Sequence, residues 1–118
     1  MQAQLARARR WRQQGRYRRA DLLLRQALAT AQTAWGPDSM PVAIICNEWG
    51  MLGKYTGHFA EAQARYRRAL AIFETVLGAD HEAVATVCHN LGGLAHARGD
   101  HAAGEPWARR AVEIRTGA

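Results

Sequence analysis

Apolar residues along the chain recur at intervals of three and four, and no stretch of useful length alternates with a period of two. From Tyr17 to Trp35, the residues Ala20, Leu23, Leu24, Ala27, Leu28, Ala31 and Ala34 keep the i, i+3, i+4, i+7 spacing of one helix face. The segment before it, Gln2 to Gln14, carries a thinner stripe of Leu5, Ala8 and Trp11, broken by Gly15. Gly36-Pro37-Asp38 predicts a stop and a restart, with glycine closing one helix through a left-handed turn and aspartate capping the next. Helices are then expected over 39–56, with Val42, Ile45, Cys46 and Trp49 inward, and over 59–77, with Ala62, Tyr66, Ala69, Leu70, Phe73 and Val76 inward. Two more are expected, over 81–98 with Val84, Val87, Cys88, Leu91 and Leu94 inward, and over 101–116 with Ala108, Ala111 and Val112 inward. Gly78-Ala79-Asp80 copies the first break, so each helix pair should lie on the previous one in the same way.

A fixed period underlies this pattern. The 29 residues from Gly57 to Ala85 match those from Gly15 at eleven positions when shifted back by 42, with no insertion. The same frame reaches Gly99, Arg109, Arg110, Ala111 and Ile114. A period in the 20 to 50 range means stacked units that bury a core only against their neighbours. Relative to Gly15, Gly57 and Gly99, the positions seven before, five after and twelve after hold Ala8, Ala20 and Ala27, then Gly50, Ala62 and Ala69, then Gly92, Gly104 and Ala111. All nine are small, as required where helices approach closely, and a bulky side chain at Ala69 should cost ~1–3 kcal/mol through overpacking. Gly50, Gly53, Gly92 and Gly93 sit inside predicted helices at ~1 kcal/mol each relative to alanine, which close packing would offset. The expected fold is all-α, a right-handed α-solenoid of three antiparallel helix hairpins. It forms one domain over 1–118, with units of approximately 1–38, 39–80 and 81–118.

Composition adds few constraints. A chain of 118 residues with 48% hydrophobic and 22% charged content is an ordinary globular domain, and no apolar run approaches the ~20 residues of a membrane span. The N-terminus lacks a hydrophobic segment after its charges, which excludes a secretory signal. It is Arg-rich like an organelle transit peptide, but it lies in phase with the repeat and is read as folded structure. Cys46 and Cys88 occupy equivalent places in successive units, farther apart than the ~7 Å Cα limit of a disulfide. Buried thiols in a reducing, cytoplasmic setting are the expectation.

The net charge of +6 is unevenly placed: residues 1–41 hold eight Arg against Asp21 and Asp38, while 42–118 balance eight cations with eight acids. Arg7, Arg9, Arg10, Arg12, Arg16, Arg18 and Arg19 are interleaved with Trp11 and Tyr17. That run reads either as a solvated face, as a docking surface for an acidic protein, or as a nucleic-acid backbone site. Membrane adsorption is disfavoured, because the fold needs the small Leu5, Ala8 and Trp11 face.

Arg-Arg-Ala-Leu at 67–70, the aromatics Tyr17 and Phe59 after the turn glycines, and Gly-Ala-Asp-His-x-x-Val-Ala from Gly78 resemble the tetratricopeptide repeat. The 42-residue form of kinesin light chains is the relevant variant, and Gly104 to Val112 is similar to its second helix. The resemblance implies a protein- or peptide-binding scaffold with no catalytic activity and no cofactor. It also implies a concave groove lined by first helices, with Arg9, Arg12, Asn47, Met51, Lys54, His89, Asn90 and His96 as partner contacts. Arg7, Arg10, Arg16, Arg18 and Arg19 form a separate basic patch in the first unit, expected to steer association. The lysine and asparagine set that clamps C-terminal carboxylates in the family is replaced by Leu5, Glu48 and Met51, which disfavours that ligand class. Arg7 stands where the family has a large apolar residue, and His101 where it has an aromatic one. With no solvating helix after the last unit, Val112 and Ile114 should expose apolar surface for a partner, a second copy or further residues of a longer chain.

Residue by residue, Asn47, Met51 and Lys54 share a helix face opposite Val42, Ile45 and Trp49. His89 and His96 are about 10 Å apart along a helix, too far to share a metal ion, so no metal site is expected. Glu48, next to Trp49, is expected at the surface or in a cap rather than as a catalytic acid. The reading is therefore an adaptor binding an acidic peptide or protein segment in the groove, with RNA backbone binding through the first unit as the alternative.

Overall fold

The computed structural model describes residues 1–117 and folds them into six helices: α1 (Gln2–Gln13), α2 (Tyr17–Trp35), α3 (Met40–Thr56), α4 (Phe59–Leu77), α5 (Glu82–Ala97) and α6 (His101–Thr116). Among the described residues there is no strand. Sequential helices pack as the hairpins α1–α2, α3–α4 and α5–α6, and each hairpin leans on the next. The backbones of α1 and α3, and of α3 and α5, approach one another, whereas those of α2, α4 and α6 do not. The stack therefore curves with its first helices on the inside. The α-solenoid of helix hairpins follows from the period.

All nine small positions are buried: Ala8, Ala20, Ala27, Ala62, Ala69 and Ala111 at 2% exposure or less, and Gly50, Gly92 and Gly104 with them. A Cβ on Gly104 would stand 3.0 Å from the Gly92 carbonyl oxygen, so α5 and α6 meet backbone to backbone. Gly50 leaves room for the buried Tyr66 ring, which would lie 2.6 Å from an added Cβ. Gly93 departs from the expectation. It is half-buried, and an added Cβ there would meet only the Lys54 ammonium at 3.5 Å.

The breaks between hairpins differ from the sequence reading in detail. Gly36 and Gly78 have positive φ (both 94°), but their ψ values of 160° and 154° turn the chain into an extended exit rather than the left-handed cap. The next helix starts one residue later than expected, so Asp38 and Asp80 do not cap. Ser39 and His81 stand at the N-cap positions, and His81 Nδ1 accepts from the Ala83 amide at 3.0 Å. Ala34, Val76, Ala108 and Val112, expected inward, are exposed. Val76 is the penultimate residue of α4, and Val112 lies on a side of α6 that no other helix covers among the described residues. Ile114 is half-buried and packs on the core edge.

Polar latches repeat along with the core. Arg68 donates to Gln32 (2.6 Å) and to the Pro37 carbonyl (2.9 Å) across the first junction. At the equivalent place in the second junction, Arg110 donates to Glu74 at 2.9 Å, and that hydrogen bond raises the Arg110 pKa.

Candidate partner-binding groove

The inner surface is built by α1, α3 and α5, because among the equivalent helices of successive hairpins these approach one another whereas α2, α4 and α6 do not. Helical periodicity places Arg9 and Arg12 on the α1 face turned toward α3, and both meet Glu48. Arg9 Nε donates to Glu48 Oε2 at 3.0 Å, and an Arg12 Nη2 lies 3.7 Å from Oε1. Glu48 is only 4% exposed, which corrects the expectation of a surface or capping role. A buried carboxylate needs paired charge, and two guanidiniums supply it. Arg12 is itself nearly enclosed and lies 5.3 Å from the centre of the Tyr55 ring, whereas half of the Arg9 side chain remains exposed. Of the two arginines assigned as contacts, Arg12 is thus turned inward as a buttress and Arg9 alone reaches the groove surface.

Toward the centre, Asn90 Nδ2 donates to Asn47 Oδ1 at 3.0 Å, with both residues half-buried. Each amide spends one group on the other, which leaves the Asn47 NH2 as donor and the Asn90 carbonyl as acceptor side by side. Met51, Lys54, Tyr55, His89, Asn90 and Gly93 enclose a small hollow of about 70 Å³ beside this pair, floored by Tyr66. Burial, and behind it the Glu48 carboxylate, pushes the Tyr66 phenol well above its ordinary pKa, so it stays neutral. Lys54 is exposed and forms no ion pair among the described residues. The structure therefore gathers Asn47, Met51, Lys54, His89 and Asn90 at one place. His96 stands apart, edge-on to His101 at 4.4 Å near the α5–α6 turn.

The basic patch lies elsewhere. Arg7 and Arg10 project from α1 on the side away from the Glu48 pair, and Arg16, Arg18 and Arg19 surround the start of α2. All five are exposed and without an ion pair among the described residues. Arg7 lies 5.9 Å from the Trp11 ring centre. The first turn of α2 has no acid, so three arginines crowd the positive end of its dipole.

A second cleft, unmarked in the sequence, opens between α2 and α4 where Trp49 comes through. Its indole N–H donates to Asp21 at 2.8 Å, with Arg65 3.7 Å and Arg25 5.5 Å from its ring centre. Desolvation lowers the pKa of Arg65. The signal that could have revealed this arrangement was Asp21 itself, the only acid before Asp38 in an Arg-rich unit. Cys46 and Cys88 are free and buried, with burial raising both thiol pKa values. Among the described residues no three His, Cys, Asp or Glu side chains are grouped to hold a metal ion, and no helix is long and apolar enough to cross a membrane.

Comparison with known proteins agrees with the fold of helix hairpins. Family models described as tetratricopeptide repeat match residues 42–117 and 2–39. BtubC (BKLC) from P. vanneervenii is 29% identical, with a TM-score of 0.87 over 94% of this chain and 44% of its own. A Podosopora anserina protein with nearly identical TPR-like repeats, described as a kinesin light chain, is 22% identical. Its TM-score is 0.87 over 98% of this chain and 55% of its own. A single-residue variant of that protein gives 0.86 at the same identity, over 98% and 54%. The chain thus spans about half the length of these structures. No curated protein matches it.

Proposed function

The chain belongs to the tetratricopeptide repeat family, a protein-interaction fold, and on that premise we propose that its inner groove binds an extended, acidic segment of a partner protein without catalysing a reaction on it. The observation that carries this reading is the Asn47–Asn90 pair, whose leftover donor and acceptor match the amide N–H and C=O of an extended backbone. Lys54, uncommitted beside that pair, and the exposed half of Arg9 favour acidic side chains. Met51 and His89 supply the walls of the hollow. Arg12 contributes by holding Glu48, and His96 flanks the groove at its far end. Residues 1–118 act as one unit, and Arg7, Arg10, Arg16, Arg18 and Arg19 speed association with an acidic partner from outside the groove.

A fluorescence titration with acidic, neutral and basic peptide pools tests the assignment. The acidic pool should bind best, and Lys54→Glu or Asn47→Ala should weaken it by about tenfold, with Arg115→Glu as a neutral control. Equal losses from all three variants would refute the groove assignment. A nucleic-acid complex in a mobility-shift titration at physiological salt, with a steep salt slope, would replace the peptide reading with RNA backbone binding.

The basic patch makes a separate prediction. Arg18→Glu/Arg19→Glu relieves charge crowding at the start of α2 and should raise the thermal midpoint by about 2–4 °C. The same variant should slow association with the acidic pool and leave dissociation nearly unchanged. Thermal melts and stopped-flow mixing read the two effects, and a faster association rate would exclude steering by this patch.

A further inference from the structure

The repeat allows the outer face of α6 to be compared, position by position, with the two junctions the structure contains. In the first junction Asp21 accepts from the Trp49 indole, and in the second Gln63, 42 residues later, accepts from Arg98 at 3.0 Å. One more step of 42 puts Glu105 in the accepting place on α6, 70% exposed and held only by Arg109 of its own helix. The residues that the same step assigns opposite it are those at the Trp49 and Arg98 positions, which in the first unit are Arg7 and Gln14. Arg7 is exposed and has no carboxylate partner among the described residues.

Two further positions follow suit. The latch formed by Gln32 with Arg68, and by Glu74 with Arg110, becomes Thr116 with Gln26, an acceptor and a donor. Leu28 is half-buried and Leu70 only 6% exposed beneath the next unit, while Val112 at the same place is 59% exposed. The outer side of α6 thus has the apolar spot, the acid and the latch acceptor of a junction. The first hairpin has the matching base and donor.

We propose that the outer face of α6 docks the first hairpin of a second copy of this chain, with Glu105 taking Arg7 of that copy and Val112 buried at the contact. This surface is separate from the inner groove and leaves it open. It also gives a partner to Arg7, an exposed cation at the position that the buried Trp49 and Leu91 hold in the later units. The two faces differ, so the interface is heterologous and repeats without closing. Mass should grow with concentration along an open series instead of stopping at a dimer.

Sedimentation velocity of the chain from about 10 μM to about 1 mM, the range of weak interfaces, tests this. The weight-average mass should rise without a dimer plateau and fall again with added salt. Arg7→Glu and Glu105→Arg should each weaken association by about tenfold. The double variant, which restores opposite charges, should return to within about threefold of the parent chain. Val112→Lys should abolish association. All three side chains are exposed, so helix content by circular dichroism should be unchanged in every variant. A monomer across the whole range, a plateau at the dimer, or association indifferent to Arg7 and Glu105 would each overturn the proposal.

Discussion

Replacing Glu48 by alanine is expected to destabilise the fold by about 3 kcal/mol, because it leaves a nearly enclosed Arg12 guanidinium without its counter-charge. For a chain of 118 residues that corresponds to a drop in the thermal midpoint of roughly 10 °C. Arg9 contributes little to the loss, since half its side chain already faces water and can rehydrate. The penalty belongs to the orphaned partner and not to the bond itself, so Arg12→Leu/Glu48→Leu should recover most of it. Urea unfolding of the parent, Arg12→Leu, Glu48→Leu and the double variant completes the cycle. A Glu48→Ala chain within ~0.5 kcal/mol of the parent would show that Arg12 escapes to solvent and that the pair supports nothing.

The second large effect separates two glycines that look alike in sequence. Gly53→Ala places a methyl 2.8 Å from the Ala62 Cβ and 3.2 Å from the His58 carbonyl oxygen. Both belong to the adjoining helix or its entry, neither is a flexible side-chain end, and α3 and α4 must move apart. Overpacking of this kind costs about 1–3 kcal/mol, more than the ~1 kcal/mol that alanine gains in helix propensity. Gly93→Ala meets only the Lys54 ammonium at 3.5 Å, which can swing away. That substitution should therefore stabilise by up to about 1 kcal/mol. Opposite signs in the two denaturation curves are the expected result, and a loss at both positions would mean that α5 tolerates no added methyl on its groove side either.

These two predictions mark where reading the chain in one dimension succeeds and where it stops. The 42-residue period, the six helices and the nine small positions were all legible, because each depends on local periodicity or on a residue type recurring at a fixed interval. Asp38 and Asp80 do not cap because Gly36 and Gly78 exit with extended ψ, and a glycine's residue type does not choose between that exit and the left-handed one. The exposure of Val76 and Val112 was equally out of reach, since a helix face is apolar by sequence but buried only if something lies on it. Gly93 fell into the same gap, as spacing shows where glycines recur and not what stands opposite them.

The groove divides along the same line. Its lining helices, and the residue types Asn47, Lys54, His89 and Asn90 on them, could be named from the family resemblance. Which side chains spend their charge or amide on each other could not. Arg12 is committed to Glu48, and Asn90 to Asn47, across 36 and 43 residues of chain that only packing brings together. Sequence alone determined a stack of three hairpins with a basic first unit, because helix periodicity, small residues and charge are properties of the chain. Tertiary structure decided which of those charges remain free to meet a partner, because a burial penalty of several kcal/mol obliges an enclosed carboxylate to capture the nearest cations first.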